Sequence, residues 1–206
     1  MIRSRKYKTG FSSASLLYKE AEATLPAITD AAALMVKQEK IDSVLIPVNS
    51  ETSKKRLASE LNKRIVNLQN EAFIHAYLSG SKTDKHLILF YAACKSYQLI
   101  SDFMLEAVLS KWYNLDLELK TTDFQNFIYK KLDSHIELEK LKPLTVRKLS
   151  DTVMRMLREL GMLQDDKLKK VQFSVHVLKD IVRNGDSWFL EVLLFNPDER
   201  NEIIGQ

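Results

Sequence analysis

The sequence predicts an all-α fold: a compact multi-helix protein with helix-turn-helix or winged-helix-like N- and C-terminal parts and at most a minor β hairpin. Five glycines and four prolines in 206 residues leave few turn signals for a many-stranded sheet. Leu57, Leu61, Ile65 and Leu68 recur at helical spacing and form one apolar stripe. Val146, Leu149, Val153, Leu157 and Leu160 repeat the design, and Gly161 follows them as a C-terminal stop.

In chain order, the first ten residues are polar and basic (Arg3, Arg5, Lys6, Lys8) and read as a loosely docked arm. Ser12 or Ser13 can cap a first helix to about Ala23, and Thr29-Asp30 punctuates before a second from Ala31 to Lys40. Asp42 to Val48 reads as a turn with a short extended piece. Asn49-Ser50 starts a third helix to about Asn70, and a shorter one runs from Glu71 to Leu78. Asp84 is positioned to cap a long helix from Lys85 to Trp112, whose apolar run Leu87 to Cys94 marks it as buried. Asp123 can cap a helix to Leu138, and Pro143 and Thr145 introduce one over Val146 to Leu160. Helices over Val175 to Arg183, with Ser174 as cap, and Ser187 to Phe195 flank an Asn184-Gly185-Asp186 turn; Pro197 to Gln206 reads as a tail. These elements group as residues 1–80 (helix-turn-helix-like), 81–122 (central long helix and connection) and 123–206 (winged-helix-like).

Composition narrows the function classes. A net charge of +4 is compatible with an acidic partner without requiring one. The single cysteine, Cys94, excludes an internal disulfide framework and reads as a small buried hydrophobe. The longest apolar run is far short of the ~20 residues that span a bilayer, and the N-terminus lacks the apolar segment of a signal peptide, so a cytoplasmic protein with no membrane partner is expected. His75, His86, His135 and His176 form no paired ligand motif. His135 and Glu137, two apart on an expected helix, would point to different faces. Gly80-Ser81-Lys82 lacks the glycine-rich loop of a phosphate-binding motif, and no nucleophile elbow or dinucleotide fingerprint occurs. The expectation is a protein that is not an enzyme, with no catalytic residue, metal or cofactor.

Positive charge is concentrated on two helix faces. Opposite the leucine stripe of the third helix lie Lys55, Arg56, Ser59, Asn62 and Lys63, with Arg64 on the flank and Glu51 and Glu60 in partial dilution. Side chains of these types contact phosphates and base edges, and a recognition helix presents its N-terminal half to the major groove. On its own such a face is most often a solvated one. The helix Val146 to Leu160 carries Arg147, Lys148, Arg155 and Arg158 on its outer side, interrupted by Asp151. The chain after Gly161 fits a winged helix-turn-helix: Met162-Leu163 re-enters the core, Asp165 to Lys170 forms a wing tip ending in Lys169 and Lys170, and Val171 to Phe173 returns as the second strand. If both faces engage one partner, about six to ten phosphates would be neutralised and affinity would fall steeply with salt.

Four segments also resemble a known family: Tyr7-Lys8-Thr9-Gly10-Phe11 followed by Ser15-Leu16-Leu17; Ser50 to Arg64 (SETSKKRLASELNKR); Tyr97-Gln98-Leu99-Ile100-Ser101-Asp102-Phe103; and Thr145 to Leu163. In this order and spacing they resemble the BrxA family, the small helical component of bacterial BREX phage-defence systems. The resemblance implies an all-helical fold, binding to double-stranded DNA, and work beside other BREX proteins, among them a methyltransferase, a large ATPase and a phosphatase-like protein. It implies no catalytic residue. The expected function is therefore non-enzymatic DNA binding in phage defence, with a protein adaptor or an RNA-binding protein as alternatives. No leucine-zipper heptads occur, so a monomer is expected in isolation.

Overall fold

The computed structural model describes residues 6–205; Arg3 and Arg5 of the expected basic arm lie outside them. The elements in chain order are α1 Tyr18–Thr24, α2 Ala31–Met35, α3 Glu51–Val66, α4 Ala72–Ser79, α5 Lys82–Ser96, α6 Gln98–Phe103, α7 Leu109–Tyr113, α8 Thr121–Lys131, α9 Ile136–Glu139 and α10 Pro143–Leu160. A hairpin of β1 Leu163–Gln164 and β2 Lys167–Leu168 follows, then α11 Val175–Arg183, α12 Phe189–Val192 and α13 Pro197–Ile204. The fold is thus mostly helical with one small hairpin. The chain divides into two units: Met1–Ser15 with Tyr97–Val171 and Leu190–Arg200, and Leu16–Ser96 with Gln172–Phe189 and Asn201–Gln206.

In the unit that holds α3, the helix begins where the Ser50 side chain accepts the Ser53 N–H, as its sequence predicts. Leu57, Leu61 and Ile65 are buried, and this stripe packs on α5, every residue of which from Leu87 to Cys94 is also buried. Phe73, Tyr91 and Phe189 add an aromatic cluster with ring centroids 4.9–5.3 Å apart. Two expectations shorten here. The first helix starts at Tyr18, because Leu17 takes a left-handed backbone (φ 63°), and neither Ser12 nor Ser13 caps it. The second ends at Met35: Lys37 also turns left-handed, and the Glu39 carboxylate accepts the Thr29 and Asp30 N–H groups, folding the chain back. Asp84 is not an outer cap but lies in the first turn of α5. Its buried carboxylate accepts the Ser81 hydroxyl and, at 2.7 Å, the Ser174 hydroxyl. Ser174 is therefore spent on Asp84 rather than on capping α11.

In the other unit, the expected helix from Lys85 to Trp112 is broken at Tyr97, which takes an extended backbone (φ −137°) and turns its ring onto Phe11 with centroids 4.9 Å apart. A π-helical turn, Met104–Val108, joins α6 to α7. The opening segment is docked from Tyr7 onward: Tyr7 and Phe11 are buried, and the Tyr7 hydroxyl donates to Asp102 Oδ2 at 2.7 Å. Leu149, Val153 and Leu157 of α10 are fully buried, each contributing ~1.5–3 kcal/mol, so packing against α8 holds this helix more than propensity does. Gly161 ends α10 at φ 87°, and Met162 and Leu163 return to the core.

The hairpin after α10 is tighter than its sequence suggests. Asp165 and Asp166 both have positive φ (49° and 56°) and form a two-residue turn that pairs Gln164 with Lys167 and Leu163 with Leu168. The return strand is therefore Lys167–Leu168, and Val171 to Phe173 is not a strand. On its other side β2 bridges to Glu118, giving three short antiparallel pieces in the order Glu118, β2, β1. The expected tail is largely the helix α13. Asn196 Oδ1 accepts the Glu199 N–H while the Glu199 carboxylate accepts the Asn196 N–H, a reciprocal cap with Pro197 at the first helical position.

Candidate nucleic-acid interface

On α10 beyond its first residue, Pro143, the exposed positions Leu144, Arg147, Lys148, Asp151, Arg155 and Arg158 occupy one arc of about 100°, since successive residues advance by ~100°. Nearly all the remaining circumference is buried core. Arg147, Lys148 and Arg155 form no ion pair among the described residues, whereas Arg158 Nη2 lies 2.8 Å from Asp166 Oδ1 at the hairpin turn. That pair is half exposed at both ends, so it contributes at most about 1 kcal/mol and opens readily.

The two wing lysines are placed differently from one another and from the expectation. Lys169 donates to the Gln164 side chain alongside the hairpin. Lys170 lies beyond the hairpin, paired with Glu199 and stacked over the Phe195 ring. It is not at a wing tip, because the two-residue turn leaves no room for a tip of six residues.

On α3, Lys55, Arg56 and Ser59 are exposed, while Asn62 and Lys63 are half-buried. Lys63 Nζ stands 3.9 Å from Glu60, and Asn62 Oδ1 accepts the Ile41 N–H at 3.2 Å. Arg64 is not a flank residue. Nine residues after Lys55 it stands two and a half turns away, on the opposite side of the helix. It is 1% exposed, and its Nε donates to Glu60 at 2.7 Å.

Sequence reasoning missed three residues of these neighbourhoods: Lys40 and Ser43, which share a cleft with α3, and Asp166, which faces Arg158. Lys40, outside the α3 helix and before its first residue, shares no periodic signal with that face, so only the folded chain brings it in. His135 and Glu137 do meet, at 3.1 Å, because His135 is extended rather than helical. Groups of three or more potential metal ligands do not occur among the described residues. None of the described helices is long and apolar enough to cross a membrane.

Fold and surface together define a small, mostly helical protein that displays cationic arcs on two amphipathic helices. A model of the BrxA family matches residues 5–184, and the chain belongs to that family. It is 24% identical to the BREX protein BrxA of Bacillus cereus (strain H3081.97), over 94% of this chain and 99% of the relative. The fold is shared with the crystal structure of an uncharacterized protein from Magnetospirillum magneticum, with a TM-score of 0.70, 20% identity, and coverage of 91% of this chain and 98% of the other.

Proposed function

We propose that this protein is a non-enzymatic, double-stranded DNA-binding component of a bacterial phage-defence (BREX) system. The observation that carries the reading is the arc of Arg147, Lys148, Arg155 and Arg158 on α10, immediately followed by a tight hairpin. The order α6–α7, the Glu118 strand piece, α8, the short α9, α10 and hairpin supports a winged helix-turn-helix reading, in which the last helix enters the major groove and the hairpin rests on the backbone beside it. Arg147 and Lys148, nearest the N-terminal end, reach base edges; Arg155 and Arg158 hold phosphates. On α3 the proposed contacts are Lys55, Arg56, Ser59, Asn62 and Lys63. Membership of the BrxA family supports action beside other BREX proteins, in this reading the methyltransferase, the ATPase and the phosphatase-like protein among them. The reading places the protein in the cytoplasm and, for want of leucine-zipper heptads, takes it as a monomer in isolation.

Fluorescence anisotropy on a random-sequence duplex, repeated across rising salt, tests the reading. With about two phosphates held by Arg155 and Arg158, the log–log salt slope is expected to be about −2 from this helix alone. Reversing Arg147, Arg155 and Arg158 to Glu should weaken binding by at least about a hundredfold. Unchanged binding by that variant would remove α10 from the interface. Leu144, 62% exposed within the arc, favours a second reading in which the face docks an acidic protein, since an apolar side chain adds nothing to a phosphate. A partner held after nuclease treatment, with no duplex binding, would establish it. Structured RNA should compete poorly, because A-form RNA closes its major groove to a helix.

A further inference from the structure

The Lys40–Ser43 segment and the outer side of α3 line an open cleft of about 330 Å³, where Lys40, Ser43, Lys55, Ser59 and Asn62 surround apolar surface from Ile41 and Ala58. We infer that this cleft is a seat for a phosphoryl group, and that in the protein's working state it holds one backbone phosphodiester of DNA. The inference deepens the DNA-binding reading and, in that form, rests on it.

The polar part of this lining is built of donors. Lys40 and Lys55 bring two positive charges, and Ser43 and Ser59 bring hydroxyls. Asn62 is fixed in orientation: its Oδ1 is taken by the Ile41 N–H, so the amide presents its NH2 edge as a donor. No carboxylate lines the cleft. The acid just before this segment and the acid within it accept other bonds, Glu39 from the Thr29 and Asp30 N–H groups and Asp42 from the Val44 N–H at 2.9 Å. With both carboxylates bonded to backbone N–H groups, the segment offers Lys40 and Ser43 to an oxygen-rich anion. Charge-assisted bonds from several donors to one anion are the arrangement that recognises phosphate.

The test uses the full-length chain, isotope-labelled, with backbone amide shifts followed at constant ionic strength. Three probes are added separately: inorganic phosphate, 2′-deoxyadenosine 5′-monophosphate, and a random 20-base-pair duplex, each against a matched chloride control. Two variants accompany them. Asn62→Asp keeps an oxygen for the Ile41 N–H but places a negative charge in the seat. Lys40→Ala with Lys55→Ala removes both cations from exposed positions and keeps the question answerable if the first variant does not fold. Phosphate-selective shifts at Ile41, Ser43 and Ser59, with duplex affinity reduced at least about tenfold by either variant and a salt slope shallower by about one in the double-alanine protein, are expected. Selective shifts with phosphate or the mononucleotide, but none with duplex that the wild type binds, support the seat and overturn its DNA occupant. Equal shifts with chloride overturn the seat, and tight duplex binding unaltered in both variants overturns its DNA occupant; either leaves the wider reading standing. If the wild type binds no duplex at all, that reading fails, and the phosphate and mononucleotide arms still decide the seat.

Discussion

Lys95 Nζ lies 2.6 Å from Asp186 Oδ2, and the same carboxylate accepts hydrogen bonds from Tyr91, Asn184 and the Trp188 indole N–H. Asp186 stands one residue beyond Gly185, whose positive φ of 84° bends the chain after α11 and brings the carboxylate back to α5. A turn that looks in sequence like a simple connection is thus the anchor of the segment it ends.

Burial alone would raise the Asp186 pKa, but the bonds from Lys95, Tyr91 and Trp188 outweigh it and hold the carboxyl below its ordinary value of 3.8. Such a group binds its proton more weakly folded than unfolded. Its stabilisation is present above pH about 3.8 and is lost as pH falls through the lower, folded value. Asp84 behaves likewise: burial opposes its ionisation, and the bonds from Ser174 and Ser81 prevail. Chemical denaturation at pH 7 and at pH 3 should show Asp186→Ala costing about 3 kcal/mol at the higher pH and distinctly less at the lower. An equal cost at both would mean that the ion pair contributes nothing.

Arg64 and Glu60 form a second test of buried charge. With the guanidinium 1% exposed, removing the acid leaves a cation without its carboxylate in the core. Glu60→Ala should cost about 3 kcal/mol, while Arg64→Met with Glu60→Gln, which removes both charges and keeps the volume, should cost less than half of that. A double-mutant cycle read by urea denaturation measures the difference. Additive losses would show that the two side chains do not depend on each other.

What the sequence made legible followed one rule: local periodicity and local caps were readable, and anything fixed by a distant partner was not. Helix α3 could be placed from its leucine spacing and Ser50, and α10 from its apolar arc and Gly161, because each signal lies within the element. The break at Tyr97 could not, since it depends on Phe11, more than eighty residues earlier. Nor could Tyr7 holding Asp102, a bond that docks what reads as a polar arm. Helix α13 is different: Asn196-Pro197-Asp198-Glu199 is an N-cap signature within the element itself, in a segment so short and terminal that its composition reads as a tail. For the candidate interface, the wheel located the arginines of α10 correctly, while the role of Glu199 in holding Lys170 required the fold.

Gly161 supplies a backbone prediction. Its Cβ would meet only Val171 Cγ2, at 3.5 Å, so space is not the obstacle; the left-handed conformation at φ 87° is. Gly161→Ala should lower stability by about 1–2 kcal/mol, and Gly161→Asn by less, because Asn tolerates this region better. Thermal unfolding of the two variants gives the order. Equal stability of alanine and glycine would show that the turn relaxes to another conformation.

The basic residues near the hairpin should not contribute equally to duplex binding. Arg155 pairs with no carboxylate among the described residues, so a phosphate at its guanidinium is a net gain, and Arg155→Ala should weaken binding about tenfold. Lys170 must leave Glu199 and the Phe195 ring before it can meet a phosphate, and the exchange of one anion for another returns little. Lys170→Ala should therefore change duplex affinity by less than about twofold and leave the salt slope unaltered. Glu199→Gln, which frees the lysine while keeping an oxygen to accept the Asn196 N–H, should tighten binding slightly. Anisotropy titrations of the three variants at one salt concentration, with the slope measured for each, separate them. If Lys170→Ala proved as damaging as Arg155→Ala, the lysine would have to release Glu199 on binding, and the contact surface would extend from α10 past the hairpin to α13.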